Sequence, residues 1–476
     1  MPMHIQTGLM DLGPNPRIFT TFYWKTAVMY PWEQVLSDIK QEYEWMQYIF
    51  NKQVNDKRRK DRITEQEREI LALIGYDEKS EDENISLCHN AAGRTPVDFW
   101  ACLKAFMLVW SLRTDQSVAS VYVQLYSNES FAIACGFPKS IPSYRTLARF
   151  DQIMTMAGLW AKVRIRLVTT NFDKGLIEPE TQIATDTTHV EADSTLTPED
   201  SNTEPTCDNV GILRKSKTVT YIAHKMSVPT LPKQNIPLAA YAYKGNTADN
   251  LTLESTLIRL FSDYPFLLPH VDAILCDGIF QTADNHLLLR ELLGPNVRLV
   301  CPVHPRNRKD VKVEGVNGIV IIDKYGVPHC ISEHKLVLLG RDIKHQQYIW
   351  GCPVFNNKCN VPGATCSEAN HIACCNGSAS GRYLCVNRYD TPQINWEFPQ
   401  HSKRHQAAYN LRKANERSIS FLKEATGFRR LRKRNRVNAQ AHGDKCVASF
   451  HIMIMMAHIM KKPELMRSYS KILIVA

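Results

Sequence analysis

The sequence predicts a mixed α/β protein with helices at both ends of the chain. Helical hydrophobic spacing dominates residues 32–75 and 95–169. Runs rich in β-branched and small apolar residues then alternate with helical stretches between residues 181 and 303. A long basic helix and a final apolar helix follow, within residues 406–461. Short strands that alternate with helices after an opening meander predict a mixed sheet covered by helices.

Residues 1–165 are expected to form an all-α region. Apolar residues recur at helix spacing from Trp32 to Met46. Two prolines, Pro138 and Pro142, then mark a break, and Ser143 is the expected N-cap of the helix that follows it.

Residues 166–304 are expected to form the sheet in the order β-β-β-α-β-α-β. These elements are strands over Thr181 to His189, Thr218 to Val228 and Pro237 to Lys244, a helix over Leu251 to Phe261, a strand over Val271 to Cys276, a helix over Thr282 to Leu293 and a strand over Val297 to Val303.

The last third of the chain divides into three parts. Residues 305–400 are irregular, with short strand-like runs, many turn residues and seven of the fourteen cysteines. Residues 401–462 hold a helix from Gln406 to Thr426 and an apolar helix from Cys446 to Lys461, whose methionines are expected in the core. Residues 463–476 are expected to form a C-terminal tail.

Charge is concentrated in one short window. The net charge is +10, and residues 401–436 alone hold twelve Lys and Arg against two acidic residues. Such a stretch favours a polyanionic partner, with nucleic acid before an anionic membrane surface. The sequence has no signal-peptide pattern, and its apolar runs are too short to span a bilayer. We therefore expect a cytoplasmic protein with reduced cysteines and no membrane partner.

Three carboxylates stand out by position. Asp186 ends the first predicted strand, Asp277 directly follows the buried run that ends at Cys276, and Glu416 lies on the basic helix. A carboxylate at the end of a buried strand is costly unless it is paired, bound to a metal or exposed. Adjacent strands would bring the two aspartates together, where their mutual repulsion favours a divalent cation. Oxygen ligands of this kind suit Mg²⁺ or Mn²⁺.

The basic helix carries a second pattern. Tyr409, Arg412, Glu416 and Lys423 are spaced three, four and seven residues apart. At about 100° per residue they fall within an arc of roughly 60°. One helix face would therefore present a carboxylate beside two cations and a phenol, which suits a metal ligand set among groups that hold phosphate oxygens.

Simpler interpretations of these residues remain open. A single strand-end aspartate is commonly a turn cap or one half of an ion pair, and a basic amphipathic helix is commonly only a solvated surface. Other carboxylates also lie near the three, and they are Glu191, Asp193, Asp284 and Glu424.

The spacing Tyr409-x₂-Arg412-x₃-Glu416-x₆-Lys423 resembles the Tyr-Arg-Glu-Lys signature of DDE-type insertion-sequence transposases from bacteria and archaea. The segment from Asp186 to Ala192 resembles that around the family's first aspartate. The segment from Cys276 to Phe280 resembles that around its second. The resemblance covers roughly residues 95–460.

This resemblance implies an RNase H-like catalytic core, interrupted between its last strand and its catalytic helix by a β-rich insertion, here residues 305–400. It implies that Asp186, Asp277 and Glu416 hold two Mg²⁺ ions, with Mn²⁺ as a substitute. One ion would activate water or a 3′-hydroxyl for attack on a DNA phosphodiester, and the other would stabilise the leaving oxygen. Tyr409 would grip phosphates near the scissile bond together with Arg412 and Lys423.

The implied partners are double-stranded DNA, as terminal inverted repeats and as target, and a second copy of the chain in the DNA complex. The helical region 1–165 would bind the DNA ends, in a prokaryotic cell and at the nucleoid. In relatives that form hairpin ends an aromatic residue of the insertion stacks on a flipped base, and Trp350 and Trp396 are the two candidates here.

Three alternatives stay open. The chain is either an active transposase, a catalytically silent DNA-binding relic, or a nuclease with the same core that lacks strand transfer. A structural Zn²⁺ site is a further, weakly signalled possibility. No Cys-x₂-Cys pair exists among the candidate cysteines, which are Cys352, Cys359, Cys366, Cys374, Cys375 and Cys385, with His371 nearby.

Overall fold

The computed structural model describes residues 26–59, 97–112, 116–194, 210–214, 220–302, 310–312, 319–323, 327–342, 344–345, 347–355, 363–387, 402–463 and 466. The described chain is a mixed α/β structure, as predicted. The exact domain boundaries remain predictions. Among the described residues, no helix combines the length and the apolar character needed to cross a membrane.

Helices form the N-terminal part, as the hydrophobic spacing predicts. They are α1 (Trp32–Arg59), α2 (Phe99–Leu112), α3 (Val118–Ser127), α4 (Glu129–Cys135), α5 (Tyr144–Met156) and α6 (Leu159–Asp173). The predicted N-cap is confirmed, because the Ser143 hydroxyl accepts a hydrogen bond from the Thr146 amide. The predicted extension of α1 beyond residue 59 lies outside the described residues.

A mixed sheet follows α6. Its strands are β1 (Gln182–Glu191), β2 (Gly211–Arg214), β3 (Thr220–Leu231), β4 (Ile236–Pro237), β5 (Tyr241–Tyr243), β6 (Ala273–Leu275) and β7 (Arg298–Val300). Two helices, α7 (Leu253–Asp263) and α8 (Ala283–Leu293), lie between the later strands. The predicted alternation of strands and helices is confirmed. The predicted third strand is divided into β4 and β5, and the short β2 was not predicted.

The sheet has the order β2-β3-β1-β6-β7, with β4 and β5 also paired to β3. β1 is antiparallel to β3 but parallel to β6, and β6 is parallel to β7. In the β1–β6 register Ala184 lies opposite Leu275. Both side chains are fully buried. The register therefore aligns Asp186, which lies within β1, with Asp277, which follows the end of β6.

The cysteine-containing segment is β-rich, as predicted. Its strands are β8 (Val311–Lys312), β9 (Ile319–Ile322), β10 (Pro328–Cys330), β11 (Val337–Asp342), β12 (Gln347–Gly351) and β13 (Tyr383–Asn387), and it contains the helix α9 (Glu368–Cys375). The six strands form two three-stranded sheets, β10-β9-β8 and β11-β12-β13. This segment has a small core of its own around Trp350 and Tyr348.

The C-terminal part contains α10 (Lys403–Leu411), α11 (Lys413–Ala425) and α12 (Arg436–Ile459). The prediction of one continuous helix from Gln406 to Thr426 is wrong, because the helix is broken at Arg412. The apolar helix begins at Arg436 rather than at Cys446. The missed part ends in the buried charged residues Asp444 and Lys445, which pair with Arg164 and Asp151, and a hydrophobic pattern does not detect such residues.

Helix α12 lies at the centre of the largest hydrophobic core. That core joins the N-terminal helices, the sheet and α12, and the methionines of α12 are buried in it as predicted. A Cβ at Gly443 would meet the Ala240 carbonyl oxygen at 2.8 Å. A glycine at this position therefore permits the close approach of α12 to the chain that enters β5.

Buried ion pairs also hold α12 against the N-terminal helices. Asp151 of α5 is 2% exposed and receives Lys445 of α12 and Lys433. Trp160 donates its indole N–H to the same carboxylate over 3.0 Å. Burial alone would raise the pKa of Asp151, but the two lysines outweigh it and hold the pKa below its ordinary value. Breaking such a pair leaves a buried charge without compensation.

The substitution Asp151→Asn is expected to lower the free energy of unfolding by about 3 kcal/mol, because Lys445 then keeps a buried charge without its carboxylate. Denaturant unfolding followed by circular dichroism measures this. The control is Asp38→Asn, which removes an ion pair with Arg166 whose two side chains are 44% and 52% exposed. The control should cost less than about 1 kcal/mol. An equal decrease in the free energy of unfolding in both variants would contradict the stabilising role of the buried Asp151 ion pairs.

His451 predicts a pH dependence of stability. Its ring is fully buried between Asn171 and the Pro237 carbonyl oxygen, and burial lowers its pKa from 6.5 to about 4. Between these two pKa values His451 is protonated in the unfolded chain but neutral in the folded chain. The free energy of unfolding therefore decreases as the pH falls from 6.5 to 4. This histidine contributes on the order of 3 kcal/mol to that loss.

Melting temperatures measured from pH 7 to pH 4 test this. His451→Gln should flatten the profile relative to wild type, whereas His458→Gln, an exposed position on the same helix, should leave it unchanged. Parallel profiles for His451→Gln and wild type would show that His451 is not the titrating group.

Candidate active site

Two aspartates lie just beyond the parallel pairing of β1 with β6. Asp186 lies on β1 and Asp277 directly follows β6, so continuing the parallel register by two residues places them opposite each other. Each carboxylate accepts a hydrogen bond from the next backbone amide, Thr187 for Asp186 at 2.8 Å and Gly278 for Asp277 at 2.7 Å. These bonds fix the direction of both carboxylates at the edge of the sheet.

Burial dominates the electrostatics of Asp186. Burial and, to a smaller extent, the neighbouring charges of Asp277 and Glu416 raise the pKa of this carboxyl, which is about 6 as the net result of all contributions. The Thr187 amide and the Arg412 guanidinium act in the opposite direction. Three carboxylates are therefore close enough to affect one another, and a cation lies among them.

Arg412 joins two of these carboxylates, those of Asp186 and Glu416. Its Nη1 donates to Asp186 Oδ2 over 3.2 Å, and its Nη2 donates to Glu416 Oε1 over 2.9 Å. Its guanidinium carbon lies 5.2 Å from the centre of the Tyr409 ring, within the range of a cation–π contact. The side chain is only 12% exposed. The structure thus brings three residues of the predicted helix face, Tyr409, Arg412 and Glu416, to the edge of the sheet beside Asp186.

The break at Arg412 aims these side chains. The Arg412 amide donates to the Tyr409 carbonyl, and the Asn415 amide donates to the Arg412 carbonyl, so the hydrogen bonds tighten to an i to i−3 pattern there. Glu416 consequently falls in the first turn of α11. A carboxylate in that position interacts favourably with the helix dipole.

Lys423 contacts the same strand further along. Its Nζ donates to the Thr188 hydroxyl, which lies two residues after Asp186 and so on the same face of β1. Lys423 is in the last turn of α11. All six predicted site residues therefore lie at one edge of the sheet or on the two helices that cross it.

Asn415 anchors α11 to the sheet. Its side chain is fully buried, and its Nδ2 donates to the Val228 carbonyl oxygen of β3 over 2.9 Å. Sequence reasoning missed this residue, because it precedes Glu416 on the face turned to the core and no motif marks it.

Asp249 is a second residue that sequence reasoning missed. Its Oδ1 accepts hydrogen bonds from the Thr187 hydroxyl, over 2.7 Å, and from Lys225. It lies where the chain leaves β5 and begins a short 3₁₀ turn, so it comes near the site only through the fold. Thr187 and Asp186 alternate on β1, and Asp249 therefore meets the opposite face of the strand from Asp186.

Contacts are seen for three of the four alternative acidic residues, through the carboxylate of one and through the backbone of two. Glu424 pairs with Arg429 on the surface, at 3.7 Å. The backbone of Glu191 pairs with Arg429 and Leu431, which fastens the basic segment after α11 to the end of β1. The Asp193 carbonyl accepts a hydrogen bond from Arg434, and Asp284 lies exposed in the first turn of α8.

The described residues contain no group of three or more His, Cys, Asp or Glu side chains placed to hold a metal ion. Asp186 and Glu416 do not converge on a common point, because the Arg412 guanidinium lies between them and bonds both. The zinc prediction for the insertion stays a prediction, and Cys359 lies outside the described residues. Burial raises the pKa of Cys374 to about 11, and the other contributing cysteines include Cys330, which sequence reasoning had not included.

The two aromatic candidates for base stacking have different outcomes. Trp350 is 2% exposed and packs in the core of the insertion, so it cannot stack on a base in this arrangement. Trp396 lies outside the described residues.

No protein-family model and no curated protein match this chain. Among solved structures, the chain is similar to a piggyBac transposase in a synaptic complex with hairpin DNA. The TM-score is 0.33 and the identity 12%, over 78% of this chain and 70% of the other. At this TM-score the likeness carries no argument about fold or function, which rest on the topology and the site.

Replacing the anchor of α11 is expected to be costly. Asn415→Ala should lower the free energy of unfolding by about 2 kcal/mol, because the buried Val228 carbonyl loses its hydrogen bond from Asn415 and keeps only the longer one from Thr230. Denaturant unfolding measures the loss. Asn410→Ala, an exposed position on α10, is the matched control and should stay within about 0.5 kcal/mol of wild type. If Asn415→Ala were as stable as this control, the anchoring role would be refuted.

Proposed function

We propose that this chain is a DDE-type DNA transposase that cuts DNA at the ends of an insertion sequence and joins them to target DNA. The observation that carries the proposal is the meeting of Asp186, Asp277 and Glu416 around Arg412 at the edge of the sheet. Carboxylates that share a partly buried site with phosphate-binding side chains suit metal-dependent chemistry on a phosphodiester.

The sheet topology supports an RNase H-like core. The first strand, β1, pairs antiparallel with β3 and parallel with β6, and the parallel strand β7 follows at the edge. The first acid lies on the first strand, the second directly after the fourth main strand and the third on a late helix. The β-rich segment lies between the last strand and that helix, which fits an insertion into such a core.

The donor chemistry fits Mg²⁺ or Mn²⁺, since all three acidic groups offer hard oxygen ligands. When bound, the ions would activate the attacking hydroxyl and stabilise the leaving oxygen. Asp186 and Asp277 would hold them from the rigid sheet, and Glu416 from α11. The present arrangement requires Arg412 to release two of these carboxylates first.

The cationic groups around the site would hold the DNA backbone. Arg412 carries a planar fork of donors that matches a phosphate, and Lys423 supplies a second positive charge. Tyr409 lies beside Arg412 and offers a phenolic donor. We infer that these three residues orient the scissile phosphate, with steep salt dependence of binding. Two chains would act together, since two DNA ends must be joined, and the protein would work in the cytoplasm.

Glu416→Gln tests the proposal in cells. The gene and its native flanking DNA are placed on a plasmid in a host that lacks them, and excision and insertion junctions are sequenced. The variant should retain DNA binding but reduce junctions by about a thousandfold or more, because an amide replaces the acid on α11. Junctions at the wild-type level in Glu416→Gln would refute the catalytic assignment.

The control is Glu424→Gln, which makes the same change on an exposed residue of the same helix. It should give junctions at the wild-type level. Cleavage of the flanking DNA without any new insertion by wild type would favour the nuclease, and binding without cleavage would favour the silent relic.

A further inference from the structure

Arg412 is bonded to two carboxylates that the proposed chemistry requires as free metal ligands. Its two terminal nitrogens bind Asp186 and Glu416, and these are two of the three proposed metal ligands. Both oxygens of Asp186 are engaged, Oδ1 by the Thr187 amide and Oδ2 by Arg412. A dication at the same carboxylates would face the positive guanidinium at contact distance, so ion and guanidinium compete.

We propose that Arg412 is a gate of the carboxylate site. In the closed state Arg412 bridges Asp186 and Glu416. A divalent cation binds to these carboxylates only after the Arg412 guanidinium has left them. The freed guanidinium then binds a DNA phosphate. The inference rests on the proposed function, and it adds that metal binding and phosphate binding are coupled through this one side chain.

The geometry makes release inexpensive on one side. Glu416 is 58% exposed, and ion pairs to so exposed a carboxylate contribute little. The Asp186 contact is more buried, but a metal ion would replace the cation there with a larger charge. Arg412 also lies at the break between α10 and α11, as the N-cap residue of α11, and a change of its side-chain rotamer leaves both helices intact.

The released side chain has a suitable second partner. A guanidinium binds a phosphate through two parallel hydrogen bonds, as it binds carboxylates. Coupling of this kind is reciprocal, so an occupied metal site would favour phosphate binding by Arg412 and bound phosphate would favour the metal. An ordinary structural ion pair at this position would show no such coupling.

The experiment measures binding of Mn²⁺ alone to the full chain, without DNA, by electron paramagnetic resonance. Arg412→Ala should bind Mn²⁺ about tenfold more tightly than wild type, because the competing cation is gone. Arg412→Gln, which keeps donors but no charge, should behave similarly and serves if the alanine variant does not fold. The control is Arg417→Ala, an exposed arginine on the same helix that contacts Asn235.

The control should stay within about twofold of wild type, since it removes the same charge away from the carboxylates. Equal or weaker Mn²⁺ binding in both Arg412 variants would overturn the gate. Asp277→Asn separates this from failure of the proposed function. If Mn²⁺ binding is lost in Asp277→Asn but unaffected by Arg412, only the gate fails. If Asp277→Asn binds Mn²⁺ as wild type does, the carboxylates are not the metal site, and both proposals fail.

Discussion

The parallel pairing of β1 with β6 is the constraint on which the site depends. Two of the three residue pairs, Ile183 with Ile274 and Ala184 with Leu275, are apolar and fully buried, so the register is held by the core and not by the polar groups beyond it. Asp186 and Asp277 follow at the same distance from this pairing, and each is fixed by the next backbone amide. A shift of one residue would turn Asp186 to the other face of the sheet and separate the acids.

Bringing acids together has an electrostatic cost, and the surrounding elements offset it. Burial raises the pKa of Asp186 to about 6, while Arg412 acts against that shift. The helix that carries Glu416 is fastened to β3 by the buried side chain of Asn415. Behind the sheet, α12 is held to the N-terminal helices by an ion pair between Asp151 and Lys445. The elements that support the site therefore have their own buried polar and charged groups paired.

The order of strands and helices was largely predictable from the sequence. The features that were missed have physical reasons for being missed. Periodicity predicted the strand and helix order, and the spacing on the basic helix predicted which residues would meet. The break at Arg412 was missed because the break residue keeps helical dihedral angles, φ −55° and ψ −33°, and leaves no glycine or proline as a signal. Asp249 and Asn415 were missed because their partners, Thr187 and Val228, are distant in sequence. Contacts of this kind arise only from the tertiary fold.

Anomalous diffraction from crystals of the full chain soaked in Mn²⁺ tests the central claim most directly, namely that Asp186 and Asp277 belong to a metal-dependent reactive centre. The account predicts an anomalous peak between Asp186 and Asp277, within coordination distance of both, with Arg412 withdrawn from Asp186. A peak elsewhere would contradict the account. So would saturating Mn²⁺ that leaves these two carboxylates unbound and Arg412 still bridging Asp186 to Glu416.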